Sequence, residues 1–206
     1  MDIQLHDTGR RFDQEWIFRS ITARFAAGGR YAVLGPNGSG KSTLLKVLSG
    51  YLTPSEGRVE FSLSGQAVAA EDVFRHLALA APYVELVEEL TLAEHVKFHR
   101  LHKPFIGGID ADALIERMEL AKAKNKLIRH FSSGMKQRAK LALACFSDTP
   151  LLLLDEPTTN LDQAGVDWYE QTVAETCQGR LVVVCSNVER EYRFCDQRIQ
   201  IMDYKP

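Results

Sequence analysis

The sequence predicts an α/β domain built on a mostly parallel sheet, with an antiparallel β part at its N-terminus and a helical subdomain inserted into the sheet domain. Three observations carry this. Short apolar runs of strand type alternate with segments of helical periodicity along the chain. A length of 206 residues fits one domain able to bury a substantial core without disulfides or structural metals. A content of 45% hydrophobic and 25% charged residues is that of a globular chain rather than a disordered one.

The elements follow in order. Ile3 and Leu5 alternate with polar residues, and Trp16 to Phe25 continues the pattern, so the opening segment reads as antiparallel strands. Gly28-Gly29 marks a turn into an apolar run, Tyr31 to Leu34, expected as a buried strand. A glycine-rich loop comes next, then a helix whose face is Leu44, Leu45, Val47 and Leu48 and whose end is Gly50, a residue suited to the left-handed cap. Thr91 and Glu94 have the spacing of a capping box, and the helix behind them carries Leu92 and Val96 on one face. A further helix starts near Asp110 or Asp112, with Leu114, Ile115 and Met118 as its buried positions. Residues 76–137 are expected to form the helical insertion, and 1–75 with 138–206 the core. Strands at Leu151 to Leu154 and Leu181 to Cys185, with a helix between them ending near Gly179, complete the alternation.

Charge and cysteine usage exclude several classes. Twenty-five basic residues against 27 acidic ones give a formal charge of -2, so no global positive field recruits nucleic acid or an anionic membrane surface, and no nucleic-acid partner is expected. The start, Met1-Asp2-Ile3-Gln4, has no basic and apolar leader pattern, and runs such as Leu151 to Leu154 are too short to span a bilayer. Cys145, Cys177, Cys185 and Cys195 have no CxxC or zinc-like spacing, which suits a reducing compartment and a role as core filler. A cytoplasmic protein is expected.

The strongest chemical signal is Gly35-Pro36-Asn37-Gly38-Ser39-Gly40-Lys41-Ser42, which fits the G-x-x-x-x-G-K-[ST] phosphate-loop pattern between a strand and a helix. Its glycines let backbone N–H groups turn inward and approach phosphate oxygens. Lys41 supplies a point charge for β and γ phosphates, Ser42 a hydroxyl for Mg²⁺, and the helix starting there aims the positive end of its dipole at the anion. ATP with Mg²⁺ is the expected ligand. The second signal is Leu151-Leu152-Leu153-Leu154-Asp155-Glu156-Pro157, a strand ending in two carboxylates. By themselves such acids could cap the next helix; beside a phosphate loop, Asp155 is suited to hold Mg²⁺ and Glu156 to orient an attacking water. The third, Phe131-Ser132-Ser133-Gly134-Met135-Lys136-Gln137-Arg138, reads on its own as a serine-capped helix N-terminus, which is also a natural anion site.

Placed shortly before the Asp155-Glu156 strand, this third element resembles the LSGGQ signature of ATP-binding cassette (ABC) proteins, and the order of all three elements is similar to that family over essentially the whole chain. The resemblance implies a P-loop ATPase that dimerises head to tail, as homodimer or heterodimer, around two ATP molecules. Each ATP would lie between the phosphate loop of one subunit and the signature Ser132 and Gly134 of the other. It implies that Phe12 stacks on adenine, with Trp16 the less suitable candidate, and that Thr43 joins Gly35 to Ser42 in holding nucleotide. Asp155 would bind Mg²⁺ with Ser42, Glu156 would be the general base, and Asp162 in Thr159-Asn160-Leu161-Asp162 would belong to the D-loop at the dimer interface. Three departures stand out. Ser133 and Met135 replace glycine and glutamine of the signature; Pro82 stands where a glutamine belongs, with Glu85 the nearest substitute; and Asn187 stands at the switch histidine. Pro82 has no side-chain oxygen for Mg²⁺ or water, and asparagine can hydrogen-bond a γ-phosphate but cannot donate positive charge, so the two replacements together imply slower turnover than in family members that keep those residues.

The expected function is the ATP-binding and ATP-hydrolysing subunit of an ABC membrane transporter, held on the inner face of the cell membrane by a separate permease. A soluble cassette acting on DNA or ribosomes would be expected to carry a coiled-coil insertion or a second cassette, and neither occurs. A nucleotide-sensing cassette with little hydrolysis is permitted by Pro82 and Asn187 and opposed by Glu156. The compact C-terminus leans the expectation toward export. His95, His99 and His102 lie close to one helical face but have no acidic or cysteine partner at ligand spacing, and Trp168 and Tyr169 read as core.

Overall fold

The computed structural model describes all 206 residues. In chain order the elements are β1 (Asp2–Phe12), β2 (Glu15–Phe25), β3 (Arg30–Leu34), α1 (Lys41–Leu48), β4 (Glu56–Leu63), β5 (Gln66–Val68), β6 (Leu77–Ala80), α2 (Leu92–His102), α3 (Ala111–Arg117), α4 (Ser133–Phe146), β7 (Leu151–Asp155), α5 (Gln163–Thr176), β8 (Leu181–Cys185), α6 (Glu189–Tyr192) and β9 (Gln197–Gln200). The chain divides into two compact units. The first is Met1–Leu77, Pro150–Glu156 and Gly179–Pro206; the second is Ala78–Thr149 and Pro157–Gln178.

The first unit contains the antiparallel sheet β2-β1-β4-β5 and, from the other sheet, the run β7-β8-β3-β9. That run is parallel throughout, with Leu152 opposite Val182, Tyr31 opposite Val183 and Ala32 opposite Arg198. Every residue of β7 and β8 is buried, which is why their sequences are unbroken apolar runs. β9 is different: Gln197, Arg198 and Gln200 are exposed at the edge of the sheet, so it has no apolar pattern to betray it in the sequence. Helix α1 packs on β7 and β8, with Leu44, Leu45, Val47 and Leu48 buried as its periodicity predicts, and Gly50 closes it with a φ of 73°. The β4–β5 hairpin has no counterpart in the sequence reading, because β4 buries only Phe61 and its pattern is weak.

In the second unit the capping box forms: Glu94 N–H donates to Thr91 Oγ1 at 3.3 Å, and Thr91 N–H donates to Glu94 Oε2 at 2.8 Å. Asp110 caps α3 by accepting from Ala113 N–H at 2.8 Å, and Leu114, Ile115 and Met118 are buried. Helices α3 and α4 pack together, and α4 packs on α5. The second unit therefore takes in all of α4, along with α5, whereas the sequence reading sets a boundary at residue 137. The apolar stripes of these helices face one another, which the sequence does not reveal. Trp168 and Tyr169 are buried in α5, and Trp168 Nε1–H donates to the Arg117 carbonyl at 2.7 Å. All four cysteines are free thiols, three of them buried.

Candidate functional site

The phosphate loop occupies the turn between β3 and α1. Gly35 and Gly40 have φ of 151° and 103°, and neither position has room for a side chain. A Cβ on Gly40 would lie 2.4 Å from Ile17 Cγ2, and one on Gly35 would lie 2.5 Å from Ile201 Cγ2. Backbone conformation and space thus select glycine independently. Helix α1 begins at Lys41 with no acidic residue in its first turn and no side-chain cap, so its leading N–H groups are left to an anion. Lys41 is 4% exposed, and its ammonium group donates to the Gly35 carbonyl at 2.7 Å and the Pro36 carbonyl at 3.2 Å. The loop is wrapped around its own lysine. Ser42 and Thr43 follow in the first turn.

Strand β7 brings two carboxylates to the same place. Asp155 is 1% exposed and pairs opposite Cys185 of β8, whose thiol lies 3.5 Å from the Lys41 carbonyl. Neither carboxylate oxygen of Asp155 has a hydrogen bond of good geometry. Burial raises its pKa from the ordinary aspartate value; the nearby Ser42 hydroxyl draws it partly back, the Glu156 charge raises it further, and Lys41 lowers it. Burial also pushes the Cys185 thiol well up, which leaves it inert. A buried carboxylate with two unpartnered oxygens beside a hydroxyl fits a hard divalent cation, which takes oxygen ligands from one or two side chains and completes its shell with phosphate and water. Mg²⁺ therefore suits Asp155 and Ser42. Glu156 follows with φ of 44°, a left-handed conformation unusual for glutamate, and its N–H donates to the Cys185 carbonyl at 2.9 Å.

Asn187, just past β8, reaches back to the loop. Its Oδ1 accepts from Gly35 N–H at 3.3 Å and its Nδ2 donates to Asn37 Oδ1 at 3.2 Å. The structure thus brings Gly35 to Thr43, Asp155, Glu156 and Asn187 together within the first unit. Phe12 sits at the tip of the β1–β2 hairpin, opposite Glu15 and 46% exposed. Farther along, that hairpin lies against the loop, through Ile17 on Gly40. Trp16 is less available: its ring packs over Gly9, and the guanidinium groups of Arg19 and Arg11 lie 4.3 and 5.5 Å from its centroid.

The second unit holds a separate cluster. Ser132 caps α4, accepting from Met135 N–H at 3.2 Å, and Asp162 caps α5, accepting from Gly165 N–H at 2.8 Å. With Gly134, Met135, Arg138 and Asn160 they line one cavity of about 510 Å³. A Cβ on Gly134 would lie 3.1 Å from the Asn160 carbonyl, so glycine permits the close approach of the two loops. Sequence reasoning missed Gln137, whose buried Nε2 donates to the Pro157 carbonyl at 2.6 Å and ties α4 to the residue after Glu156. It also missed the ion pair of Arg138 with Glu119 on the cavity wall. Pro82 is exposed and Glu85 acts electrostatically on Lys140. Of the histidines, His99 bonds Ser147 Oγ at 2.8 Å and stacks on Phe105, and His95 is buried.

Residues 18–159 match the sequence profile of the family described as ABC transporter. The cytochrome c biogenesis ATP-binding export protein CcmA of Paramagnetospirillum magneticum is 36% identical over 180 residues, covering 84% of this chain and 82% of that protein. The daunorubicin resistance ATP-binding protein DrrA3 of Streptomyces coeruleorubidus is 33% identical over 200 residues, covering 94% of this chain; the chain spans 63% of that relative's length. Among solved structures, the dimeric post-hydrolysis state of an ATP-binding cassette bound to ADP and phosphate superposes with a TM-score of 0.79. It is 21% identical, covering 96% of this chain and 93% of that one, and it shows the shared fold.

Proposed function

This chain belongs to the ABC transporter family, whose ATP-binding members are ATPases, and from that premise we infer that it binds and hydrolyses ATP to drive a separate membrane permease. The observation that carries the chemistry is Asp155: a buried carboxylate with two unpartnered oxygens beside Ser42, one residue before Glu156 and against the phosphate loop. Within the protein only the adjacent Ser42 hydroxyl and the charges of Lys41 and Lys46 partly offset its burial. Asp155 and Ser42 would hold Mg²⁺, which supplies charge neutralisation on the transferring phosphoryl group. Lys41 exchanges its two carbonyl contacts for β- and γ-phosphate oxygens. Glu156 accepts the proton of the attacking water, on a backbone fixed by the left-handed turn and the anchored N–H. Asn187 turns its amide from Asn37 toward the γ-phosphate as a neutral hydrogen-bond donor.

The signature cluster completes the reading. Ser132 and Gly134 at the N-terminus of α4 offer donors to the γ-phosphate held by a second cassette, of the same or a different sequence, and Asp162 organises the loop beside them. Closure around two ATP molecules and reopening after hydrolysis is the motion that works the permease. No helix is long and apolar enough to cross a membrane, which fits attachment to the inner membrane face through that permease. The name of the CcmA relative favours export.

Mg²⁺-ATP turnover by wild type and Glu156→Gln, with light scattering on the same samples, tests this. The expected result is turnover in wild type, none in the variant, and an ATP-stabilised dimer of the variant. Turnover surviving in the variant would overturn the role of Glu156. The tethering of Asn187 to its own loop, with Pro82 in place of glutamine, favours a second reading, a cassette that senses ATP with little hydrolysis. An ATP-dependent dimer of wild type without turnover, with or without membranes, would decide for it.

A further inference from the structure

Arg10 lies under the aromatic ring that the nucleotide reading assigns to adenine. Its guanidinium carbon is 4.6 Å from the Phe12 centroid, so a cation backs one face of the ring, and the residue keeps 46% of its surface exposed. The guanidinium is pinned from below: Nη1 donates to the Thr53 carbonyl at 3.0 Å and approaches Ser55 Oγ at 3.5 Å. Ser55 is itself fixed to the strand, because its N–H donates to the Gly9 carbonyl at 2.8 Å and its hydroxyl accepts from Arg11 N–H at 3.2 Å. Arg10 Nε is buried with no partner. Hydrogen bonding alone would not choose this pose, since it leaves one donor unsatisfied; contact with the ring helps set it. The other aromatic of the hairpin, Trp16, faces two guanidinium groups and packs over Gly9.

We propose that Arg10 is a positioning residue for the base of the bound nucleotide: it holds the Phe12 ring in place and polarises it, so that the opposite face stacks on an electron-rich purine. This rests on the reading of Phe12 as the base platform. The cation acts through the ring and not on the phosphates, so the contribution depends on the base and on Phe12. An exposed cation–π contact is worth about a 2- to 5-fold factor in an equilibrium, and because the contact exists before nucleotide binds, that factor is the ceiling on what Arg10 adds to base binding through the ring.

The test is calorimetric titration of wild type, Arg10→Gln, Phe12→Ala and the double variant, each with ATP and with inorganic tripolyphosphate, which has no base. Arg10→Gln is expected to weaken ATP measurably, by no more than about 5-fold. Tripolyphosphate binding should not change, and the substitution should add nothing once Phe12 is alanine. Equal losses for ATP and tripolyphosphate, or an undiminished loss in the Phe12→Ala background, would overturn the proposal and leave Arg10 a phosphate-attracting charge or a clip for the 53–55 loop. The platform reading fails separately, by Phe12→Ala leaving ATP affinity unchanged. Melting temperatures of the four proteins in the absence of nucleotide exclude misfolding as the cause of any loss.

Discussion

Replacing Asp155 with asparagine should stabilise the nucleotide-free protein and remove its response to Mg²⁺-ATP. Asp155 is buried, neither oxygen has a hydrogen bond of good geometry, and burial is the largest cause of its raised pKa, offset in part by the Ser42 hydroxyl. A group whose pKa is higher folded than unfolded favours the fold below the unfolded value and loses that contribution as pH rises through the folded one. Once ionised in the fold, at pH above its raised pKa, the wild type therefore carries the cost. An unpartnered buried polar group costs about 1–3 kcal/mol and a charged one more; the amide keeps a polar cost but sheds the charge, so the gain should be about 1–2 kcal/mol. For a protein of this size that is about 2–4 °C in Tm per kcal/mol. Lys41 and Lys46 partly offset the charge and hold the gain toward the lower end. Scanning calorimetry without nucleotide should thus find Asp155→Asn melting above wild type at pH 7.5, with the gap closing on acidification toward pH 4. With saturating Mg²⁺-ATP the order should reverse, because the wild type gains from ligand binding and the variant does not. If the variant melts at or below wild type without ligand, Asp155 is not a strained carboxylate and the cation-site argument loses its support.

Other perturbations separate the parts of the site. Gly40→Ala places a methyl 2.4 Å from Ile17 Cγ2 at a φ of 103°, whereas Gly38→Ala meets nothing within 4 Å at a φ of 75°. The first should cost about 2–4 kcal/mol and abolish ATP binding, the second about 1–2 kcal/mol; equal denaturation midpoints would show that the Ile17 contact does not matter. Asn187→His should raise turnover by restoring a donor that can carry charge, and an unchanged kcat would sink the idea that asparagine limits the rate. His99 has its pKa lowered from 6.5 to about 4, first by burial and then by the charges of Lys103, His95 and His102. A depressed histidine is neutral when folded and protonated when unfolded below pH 6.5, so stability should fall as pH drops from 6.5 toward 4. The loss is at most about 3 kcal/mol, less whatever solvent screening the partly open ring receives. His99→Gln should flatten that slope in urea titrations, and an unchanged slope would assign it elsewhere.

Local chemistry was legible in the sequence where neighbouring residues decide it. The phosphate loop, the capping box at Thr91 and Glu94 and the helix start near Asp110 or Asp112 each depend on residues within a few positions of one another, and each forms. Strands buried on both faces, β7 and β8, announce themselves because every position must be apolar. The edge strand β9 and the hairpin β4–β5 did not, since solvent tolerates polar residues there and removes the pattern. Likewise α4 gives no sign in the sequence of which helices cover its apolar side.

The sequence by itself determined that this chain is an α/β cassette with a phosphate loop, two carboxylates at a strand end and a serine-capped signature helix, because these are patterns of residue type at short spacing. Tertiary structure alone decided what those groups face. It left the Asp155 oxygens buried without a hydrogen bond of good geometry, turned Asn187 back onto Gly35 and Asn37, and laid Arg10 against Phe12 while tying it to Thr53 and Ser55. Most of these meetings join residues tens to more than a hundred positions apart, and the stack of Arg10 on Phe12 takes its pose from such a contact. Distances and desolvation of that kind are set by how the sheets and loops pack, not by the order of residues along the chain.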